Sequence, residues 1–252
     1  MMKYTILEDN KKRLPDGTFV YRIQALRDFG TIKAGTLGGY VADGENLSHR
    51  GNCWIADKAI ASGFSCVKGN AALSGNAKLS GFAWISGNAT VGNNATMTDY
   101  TSAYGNAVIG GSSVLIGGAS VFENGTVKAE YKKNGTTMQD LATVRGNGTL
   151  SGFASMKDKA LLDGNAVLKG HATLKENAHA GGFSRVQDWA VIYDNGWVLQ
   201  NAIIEKRSRI GGNAVVHGHS IITGKSFLTC NVHISGRSRL KNISLGGDQT
   251  IY

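Results

Sequence analysis

The chain has 252 residues, a formal net charge of +9 and 35 glycines, with one proline and three cysteines. Three cysteines are an odd number and form no CxxC pattern that would indicate a metal site, so we expect reduced, unpaired thiols. No apolar run approaches the roughly 18 residues of a membrane helix and no signal-peptide pattern opens the chain, so we expect a cytoplasmic protein with no membrane partner.

Residues 1–50 precede a regular repeat and are predicted to form a cap. Residues 3–7 and 18–23 alternate between apolar and polar side chains, as half-buried strands do, and the Leu-Pro-Asp-Gly run at 14–17 is typical of a turn. The open end of a solenoid is an unpaired sheet edge that invites aggregation. We therefore expect the two strands to cover the first coil.

From residue 51 onward the chain repeats the hexad Gly-Asn-Ala-x-(Val/Leu/Ile)-x, with 13 hexads over 51–128 and 17 over 140–241. The fifth position is apolar in every hexad, and the third is small in all but one. Two inward positions spaced two apart describe a short strand, and the Gly-Asn before them supplies a corner. Three hexads close a triangle, so one coil takes 18 residues. The repeat predicts an all-β, single-stranded parallel β-helix of about ten to eleven coils.

The repeat breaks once, at 129–139, where Tyr131 and Lys133 would point into the core. We interpret the break as two irregular sides rather than a loop at one corner, because its eleven residues nearly match the twelve of two hexads. Residues 242–252 are expected to close the far end. The predicted organisation is a cap (1–50), a β-helix (51–241) and a C-terminal cap (242–252).

Steps of 18 residues sort the outward second position of the hexads into columns. With the break counted as two sides, asparagines line one corner, where we expect them to bond to one another along the stack. Another corner carries aromatic residues that give way to basic ones towards the C-terminus. The residues of this aromatic-to-basic column are Phe64, Phe82, Tyr100, Phe153, His171, Trp189, Arg207 and Lys225.

Exposed aromatic rings in a row indicate an interface, because water solvates them poorly. One interpretation is a contact between identical chains, and another is a surface for a host protein. A third is a stripe for an aromatic anion such as a nucleotide, stacked on Trp189 and paired with Arg207 and Lys225. Residues 206–241 carry seven Lys and Arg and no Asp or Glu, which favours an anionic partner.

The small-x-aliphatic hexad resembles that of the left-handed β-helix superfamily, which includes acyltransferases and γ-class carbonic anhydrases. That resemblance implies a left-handed coil and a homo-oligomer, with a trimer favoured. The segment 19–56 is similar to the opening of phage- and prophage-encoded YdcK-like β-helix proteins. The similarity lies in YRIQALRDFG at 21–30, GGYV at 38–41 and NLSHRGNCWI at 46–55. It implies a phage or prophage source and a location in the cytoplasm of a bacterial host.

Acyltransferases of this superfamily typically use a histidine as general base. The candidates here are His217 and His219, with Arg207 and Lys225 beside them to hold a coenzyme A phosphate. A zinc site needs three converging ligands, and strand and coil spacing put His233 about 8 Å from His217. We therefore predict no metal site, and no cofactor except coenzyme A if the chain is an acyltransferase.

These observations favour a non-catalytic binding or scaffold protein of phage or prophage origin. Its rigid face would bind a host macromolecule or an anionic, nucleotide-like ligand, and a role in countering host defence follows from the implied source. The alternative is a coenzyme A-dependent acyltransferase of the hexapeptide-repeat class. Acyl transfer would depend on His217 or His219, whereas the binding function would use the aromatic-to-basic column.

Overall fold

The computed structural model describes residues 2–129 and 135–252. Short strands recur along the chain and pair in parallel with the strands one coil above and below, which builds three sheets. We name these sheets faces one, two and three, in the order in which the chain visits them. The strands of face one are Trp54–Ile55, Ala72–Leu73, Thr90–Val91, Val108–Gly110, Thr126–Lys128, Thr149–Ser151, Val167–Leu168, Arg185–Val186, Ile203–Ile204, Ile221–Thr223 and Arg239–Lys241. The repeat strands of face two are Ile60–Ala61, Lys78–Leu79, Thr96–Met97, Val114–Leu115, Thr137–Met138, Ser155–Met156, Thr173–Leu174, Val191–Ile192, Arg209–Ile210, Phe227–Leu228 and Ser244–Leu245. The strands of face three are Cys66–Val67, Trp84–Ile85, Ser102–Ala103, Ser120–Val121, Thr143–Val144, Leu161–Leu162, His179–Ala180, Trp197–Val198, Val215–Val216, His233–Ile234 and Thr250–Ile251.

The core consists of the third and fifth residues of the hexads, as the repeat predicts. Ala71, Leu73, Ala77 and Leu79 are fully buried, and their equivalents in the other coils form one continuous apolar cluster with them. The side chain between each buried pair points outwards, because successive residues of a strand point to opposite faces of the sheet. The rod therefore has one core, and chemistry is confined to its three faces and three edges.

The edges of the prism are built from the first two residues of each hexad. Gly87 has φ +66°, and a Cβ there would lie 2.8 Å from the carbonyl oxygen of Gly105 in the next coil. Where an acidic residue takes the first position, its carboxylate binds the next coil: Asp57 accepts the backbone N–H of Gly75 at 2.9 Å. Positive φ and close stacking of the corners therefore favour glycine at this position, and an acidic residue takes its place where the carboxylate bonds to the next coil.

Asparagines line the edge between faces three and one, and their amides form a ladder. Nδ2 of Asn70 donates to Oδ1 of Asn88 at 3.1 Å, and Asn88 donates to Asn106 at the same distance. The ladder continues through Asn124 to Asn147, across the break in the repeat. The predicted hydrogen bonding of the asparagine corner is confirmed.

The N-terminal residues form an antiparallel extension of face two. Strand β1 (Tyr4–Arg13) pairs with β2 (Phe19–Ala25), which pairs with β3 (Leu37–Val41). Strand β3 then pairs in parallel with Ile60–Ala61, so the hairpin joins the first coil through face two. A 3-10 helix at Gly44–Asn46 leads into the repeat.

The C-terminal residues continue the solenoid. Ser244–Leu245 pairs in parallel with Phe227–Leu228 on face two, and Thr250–Ile251 pairs with His233–Ile234 on face three. The last strands are half-exposed or exposed, so the core ends here.

The prediction of two irregular sides at 129–139 is wrong. Val114–Leu115 pairs with Thr137–Met138, and the other two faces keep the same register across the break. The offset between stacked residues there is 23 instead of 18. Five extra residues are therefore inserted at one corner, between faces one and two. The predictions for Tyr131 and Lys133 lie outside the described residues.

The predicted fold class is confirmed: the chain is an all-β parallel solenoid, consistent with a left-handed β-helix. Eleven strands stack in each of faces one and three. Within residues 2–129 and 135–252, no helix has the length and apolar character needed to cross a membrane.

Candidate functional site

The predicted aromatic-to-basic column is divided between two edges, because the insertion takes up one corner and not two sides. The members before the break lie on the edge between faces two and three, where Leu141 lies in the coil after Gly118. The members after the break lie on the edge between faces one and two. The prediction of one continuous column is therefore wrong. The first group is Phe64, Phe82 and Tyr100, and the second is Phe153, His171, Trp189, Arg207 and Lys225.

The first group is a ladder of stacked rings. Phe64 and Phe82 have ring centroids 5.0 Å apart, and so do Phe82 and Tyr100, with interplanar angles of 12° and 2°. All three rings are exposed, Phe64 by 79%. The ladder ends at Gly118, and Leu141 in the coil beyond is exposed as well. This edge is an apolar surface in contact with solvent.

The second group begins as an aromatic stack and ends in basic residues. Phe153 stacks on His171 at 4.8 Å, and His171 stacks on Trp189 at 3.9 Å with the rings 1° from parallel. The next two coils place Arg207 and Lys225 on the same edge. His171 covers one face of the Trp189 indole, which is still 58% exposed. His171 thus packs against one face of the indole, and Arg207 follows one coil further along the same edge.

A shallow groove of about 550 Å³ runs along the face-two side of this edge. Trp189, Arg207 and Lys225 form one wall, and outward side chains of face two, including Arg209 and Phe227, form the other. Val191 and Ser226 complete the lining. Three basic side chains and two aromatic rings therefore meet with no carboxylate in the lining.

The face-one side of the same edge has a second depression of about 610 Å³, and its lining includes a carboxylate. Asp188 lies there with Nζ of Lys206 3.2 Å from its carboxylate, so the acid is already paired. An anionic ligand is therefore expected on the face-two side, where the positive charge has no such partner among the lining residues.

Arg209 and Phe227 were not among the predicted site residues. They occupy the outward fourth position of face two and pair with each other in register, one coil apart. Applying the 18-residue step to the fourth hexad position, and not only to the second, would have found them beside Trp189.

Face three lies opposite the edge that carries Trp189. It holds a histidine–aspartate pair that the sequence analysis also missed. Nε2 of His179 lies 2.9 Å from Oδ1 of Asp163, whose other oxygen accepts a hydrogen bond from Arg145 at 3.1 Å. Trp197 meets His179 edge to face at 5.7 Å. Gly181 leaves space for the pair, since a Cβ there would lie 2.5 Å from Oδ1 of Asp163.

The charge of Asp163 is fixed by its neighbours. Burial acts to raise the pKa of this carboxyl, but hydrogen bonds from His179 and Arg145 outweigh burial and hold the pKa below its usual range. The carboxylate therefore stays ionised at neutral pH and orients the imidazole through their hydrogen bond. This is the arrangement of an oriented general base.

The predicted catalytic candidates lie elsewhere. His217 is on face three and His219 on the edge between faces three and one, whereas Arg207 and Lys225 are on the edge between faces one and two. The structure does not bring these histidines beside those cations, so the predicted coenzyme A site at His217 and His219 is wrong in its geometry.

The predicted separation of His217 and His233 is also wrong. Their Nε2 atoms are 2.6 Å apart, not about 8 Å. The larger figure describes the backbone spacing of diagonal neighbours, which two imidazoles turned towards each other can bridge.

No protein-family model matches the chain, and no curated protein matches it. Among solved structures, it is similar to the UDP-N-acetylglucosamine acyltransferase of Francisella novicida, with 15% identity and a TM-score of 0.32 over 76% of this chain. The chain spans 65% of the length of that protein. The UDP-N-acetylglucosamine O-acyltransferase of Moraxella catarrhalis matches with 10% identity and a TM-score of 0.37, over 81% of this chain and 72% of its own. LpxA from Acinetobacter baumannii matches with 11% identity and a TM-score of 0.34, over 76% of this chain and 71% of that protein.

At these TM-scores the likenesses assign no function to this chain. They give no support to the predicted resemblance to phage- and prophage-encoded YdcK-like proteins, which stays a prediction.

Proposed function

We propose that the groove beside Trp189 binds a phosphorylated ligand that carries an aromatic ring, a class that includes nucleotides and coenzyme A. The observation that carries this proposal is the meeting of Trp189 with Arg207, Arg209 and Lys225 in one groove whose lining has no carboxylate. This ligand class is common to both functions predicted from the sequence.

The two halves of such a ligand would be held by different forces. A base stacked on an exposed aromatic ring gains about 1–3 kcal/mol, and His171 already stacks on one face of the Trp189 indole. Arginine binds phosphate oxygens through two parallel N–H groups, whereas lysine acts as a point charge. Arg207 and Arg209 are therefore the expected phosphate contacts, and Lys225 adds attraction along the edge.

Calorimetric titration with coenzyme A and with ADP tests the groove. Trp189→Ala and Arg209→Ala should each weaken binding at least tenfold. Trp197→Ala removes an exposed tryptophan from face three, and Arg185→Ala removes an exposed arginine from face one. These two control variants should bind like the native protein. Equal losses in the control and groove variants, or no loss in the groove variants, would contradict the proposal.

A second candidate function is acyl transfer from coenzyme A, and the His179–Asp163 pair favours it over a purely structural rod. His179 would take the proton from the attacking hydroxyl or amine of an acceptor, and Asp163 would stabilise the resulting imidazolium. The pair lies on the face opposite the groove. An acyl donor in the groove of one chain would therefore have to serve the pair of a second chain.

Release of free thiol from acetyl coenzyme A, measured with a panel of amino sugars and other amine and hydroxyl acceptors, distinguishes the two functions. An acyltransferase should lose most of its turnover in His179→Ala and keep it in His219→Ala. Binding of coenzyme A without turnover of any acceptor would instead favour the predicted non-catalytic binding protein. The predicted phage origin, host partner and role against host defence stay predictions.

We also propose that a second copy of the chain covers the edge that carries Phe64, Phe82 and Tyr100. A continuous ladder of exposed rings is the kind of apolar surface that identical chains bury. Light scattering should give a multiple of the monomer mass, with a trimer predicted, and Phe64→Ser/Tyr100→Ser should lower it. Phe183→Ser, at an exposed ring on the edge between faces three and one, should not. An unchanged mass in the double variant would contradict this proposal.

A further inference from the structure

Two histidines near the C-terminal end of face three direct their ring nitrogens at each other. Nε2 of His217 lies 2.6 Å from Nε2 of His233 in the next coil. Nδ1 of His217 lies 3.4 Å from Oε1 of Gln200, and that oxygen accepts the backbone N–H of Gly218 at 2.8 Å. Because Oε1 can only accept, this contact favours the tautomer with the proton on Nδ1 of His217, in which Nε2 offers a lone pair to His233.

The Nε2 atom that His217 directs at His233 is the atom that a metal ion would use. A neutral imidazole nitrogen is a ligand for late transition metals. Two arrangements bring the Nε2 atoms together. Either Nε2 of His233 carries a proton and donates it to Nε2 of His217, or both nitrogens are unprotonated and bind one metal cation.

The distance between the nitrogens indicates which metals fit. Metal–imidazole bonds are about 2.0–2.1 Å long, so two such nitrogens lie about 2.9 Å apart at a right angle and about 3.3 Å apart at a tetrahedral angle. The observed 2.6 Å needs a change of only a few tenths of an ångström for the right angle. Square-planar and tetragonal geometry with nitrogen ligands is typical of Cu²⁺ and Ni²⁺.

We propose that His217 and His233 form a two-histidine site for Cu²⁺ or Ni²⁺, with water at the remaining positions. Among residues 2–129 and 135–252 no group of three or more His, Cys, Asp and Glu could hold a metal ion. The pair is exposed to solvent, and the affinity of the site rests on two imidazoles. The site on face three is independent of the groove beside Trp189, which lies along the edge between faces one and two.

Calorimetric titration of the chelator-treated protein with Ni²⁺ tests the site. The native protein should bind one equivalent, and His217→Ala and His233→Ala should each weaken binding at least tenfold. His219→Ala removes a histidine two residues away that points from the neighbouring edge, and it should change the affinity less than twofold. Binding that survives both alanine variants, or falls equally in His219→Ala, would overturn the proposal.

Electron paramagnetic resonance of the Cu²⁺-loaded protein gives a second readout. The native spectrum should show superhyperfine splitting from two imidazole nitrogens, and each single variant should show splitting from one. If His217→Ala does not fold like the native protein, His233→Asn supplies the same comparison. A native spectrum without two nitrogen ligands would overturn the proposal.

Discussion

Gly181→Ala tests whether the His179–Asp163 pair is built into face three. Gly181 has no positive φ, so alanine fits the backbone, and it would ordinarily stabilise the fold by about 0.4–1 kcal/mol through the unfolded state. Here, however, the new Cβ would lie 2.5 Å from Oδ1 of Asp163 and 2.9 Å from Nε2 of His179. One or both of these side chains would have to shift, and we expect the shift to break the hydrogen bond between them.

The expected magnitude follows from these opposing effects. A hydrogen bond to a charged group contributes about 1.5–3 kcal/mol, and we take the lower end because the two side chains are 22% and 20% exposed. Subtracting the gain from the unfolded state leaves a net destabilisation of about 0.5–1 kcal/mol. The sign, more than the size, distinguishes this outcome from an ordinary Gly→Ala substitution.

Urea unfolding followed by tryptophan fluorescence measures the effect, in the native background and in Asp163→Ala. Without the carboxylate, the His179 ring can move aside, and Gly181→Ala should then be neutral or stabilising. The same destabilisation in both backgrounds, or stabilisation in the native background, would refute the reasoning.

Three further predictions concern the rod. Asn88→Ala removes two hydrogen bonds of the asparagine ladder, whereas Asn94→Ala removes one bond of the same kind, to Asn76 on another edge. The first substitution should lower the free energy of unfolding by about 1–2 kcal/mol and the second by about half as much. Equal losses in urea unfolding would be inconsistent with additive hydrogen bonds. Met97→Ala should cost about 2–5 kcal/mol because it empties the prism centre, whereas Thr96→Ala on the outer face should stay within about 0.5 kcal/mol. The pKa of Asp163 is depressed in the folded protein, so its contribution is complete above the ordinary value of 3.8 and is lost as pH falls through the folded value. Lowering the pH from about 5 to about 3 should therefore reduce the melting temperature of the native protein more than that of Asp163→Asn. Parallel plots of melting temperature against pH for the two proteins would contradict this.

The hexad predicted the fold because one short period fixes which side chains face inwards. Leu73 and Leu79 had to be buried if every fifth residue was, and a positive φ followed from glycine at the corners. The break at 129–139 could not be placed in the same way. Eleven residues fit either two short sides or one side with five extra residues, and only strand pairing such as Val114 with Thr137 distinguishes them.

The candidate site was predicted only where it followed one column. The 18-residue step placed Trp189, Arg207 and Lys225 together, but it was not applied to the strand position that holds Arg209 and Phe227. Pairs 16 residues apart, such as Asp163 with His179, lie diagonally on one face. Backbone spacing alone makes such pairs look too distant, because it leaves out the length and rotamer of the side chains.

The most direct test of the proposed ligand site is the indole N–H resonances of the four tryptophans in a ¹⁵N-labelled sample titrated with ADP. Trp189→Phe assigns the resonance of Trp189, and Trp197→Phe assigns that of the exposed ring on face three. The account predicts a saturable shift of the Trp189 resonance and none for Trp197. A shift of Trp197 instead, or no shift of Trp189 at saturating ADP, would contradict it.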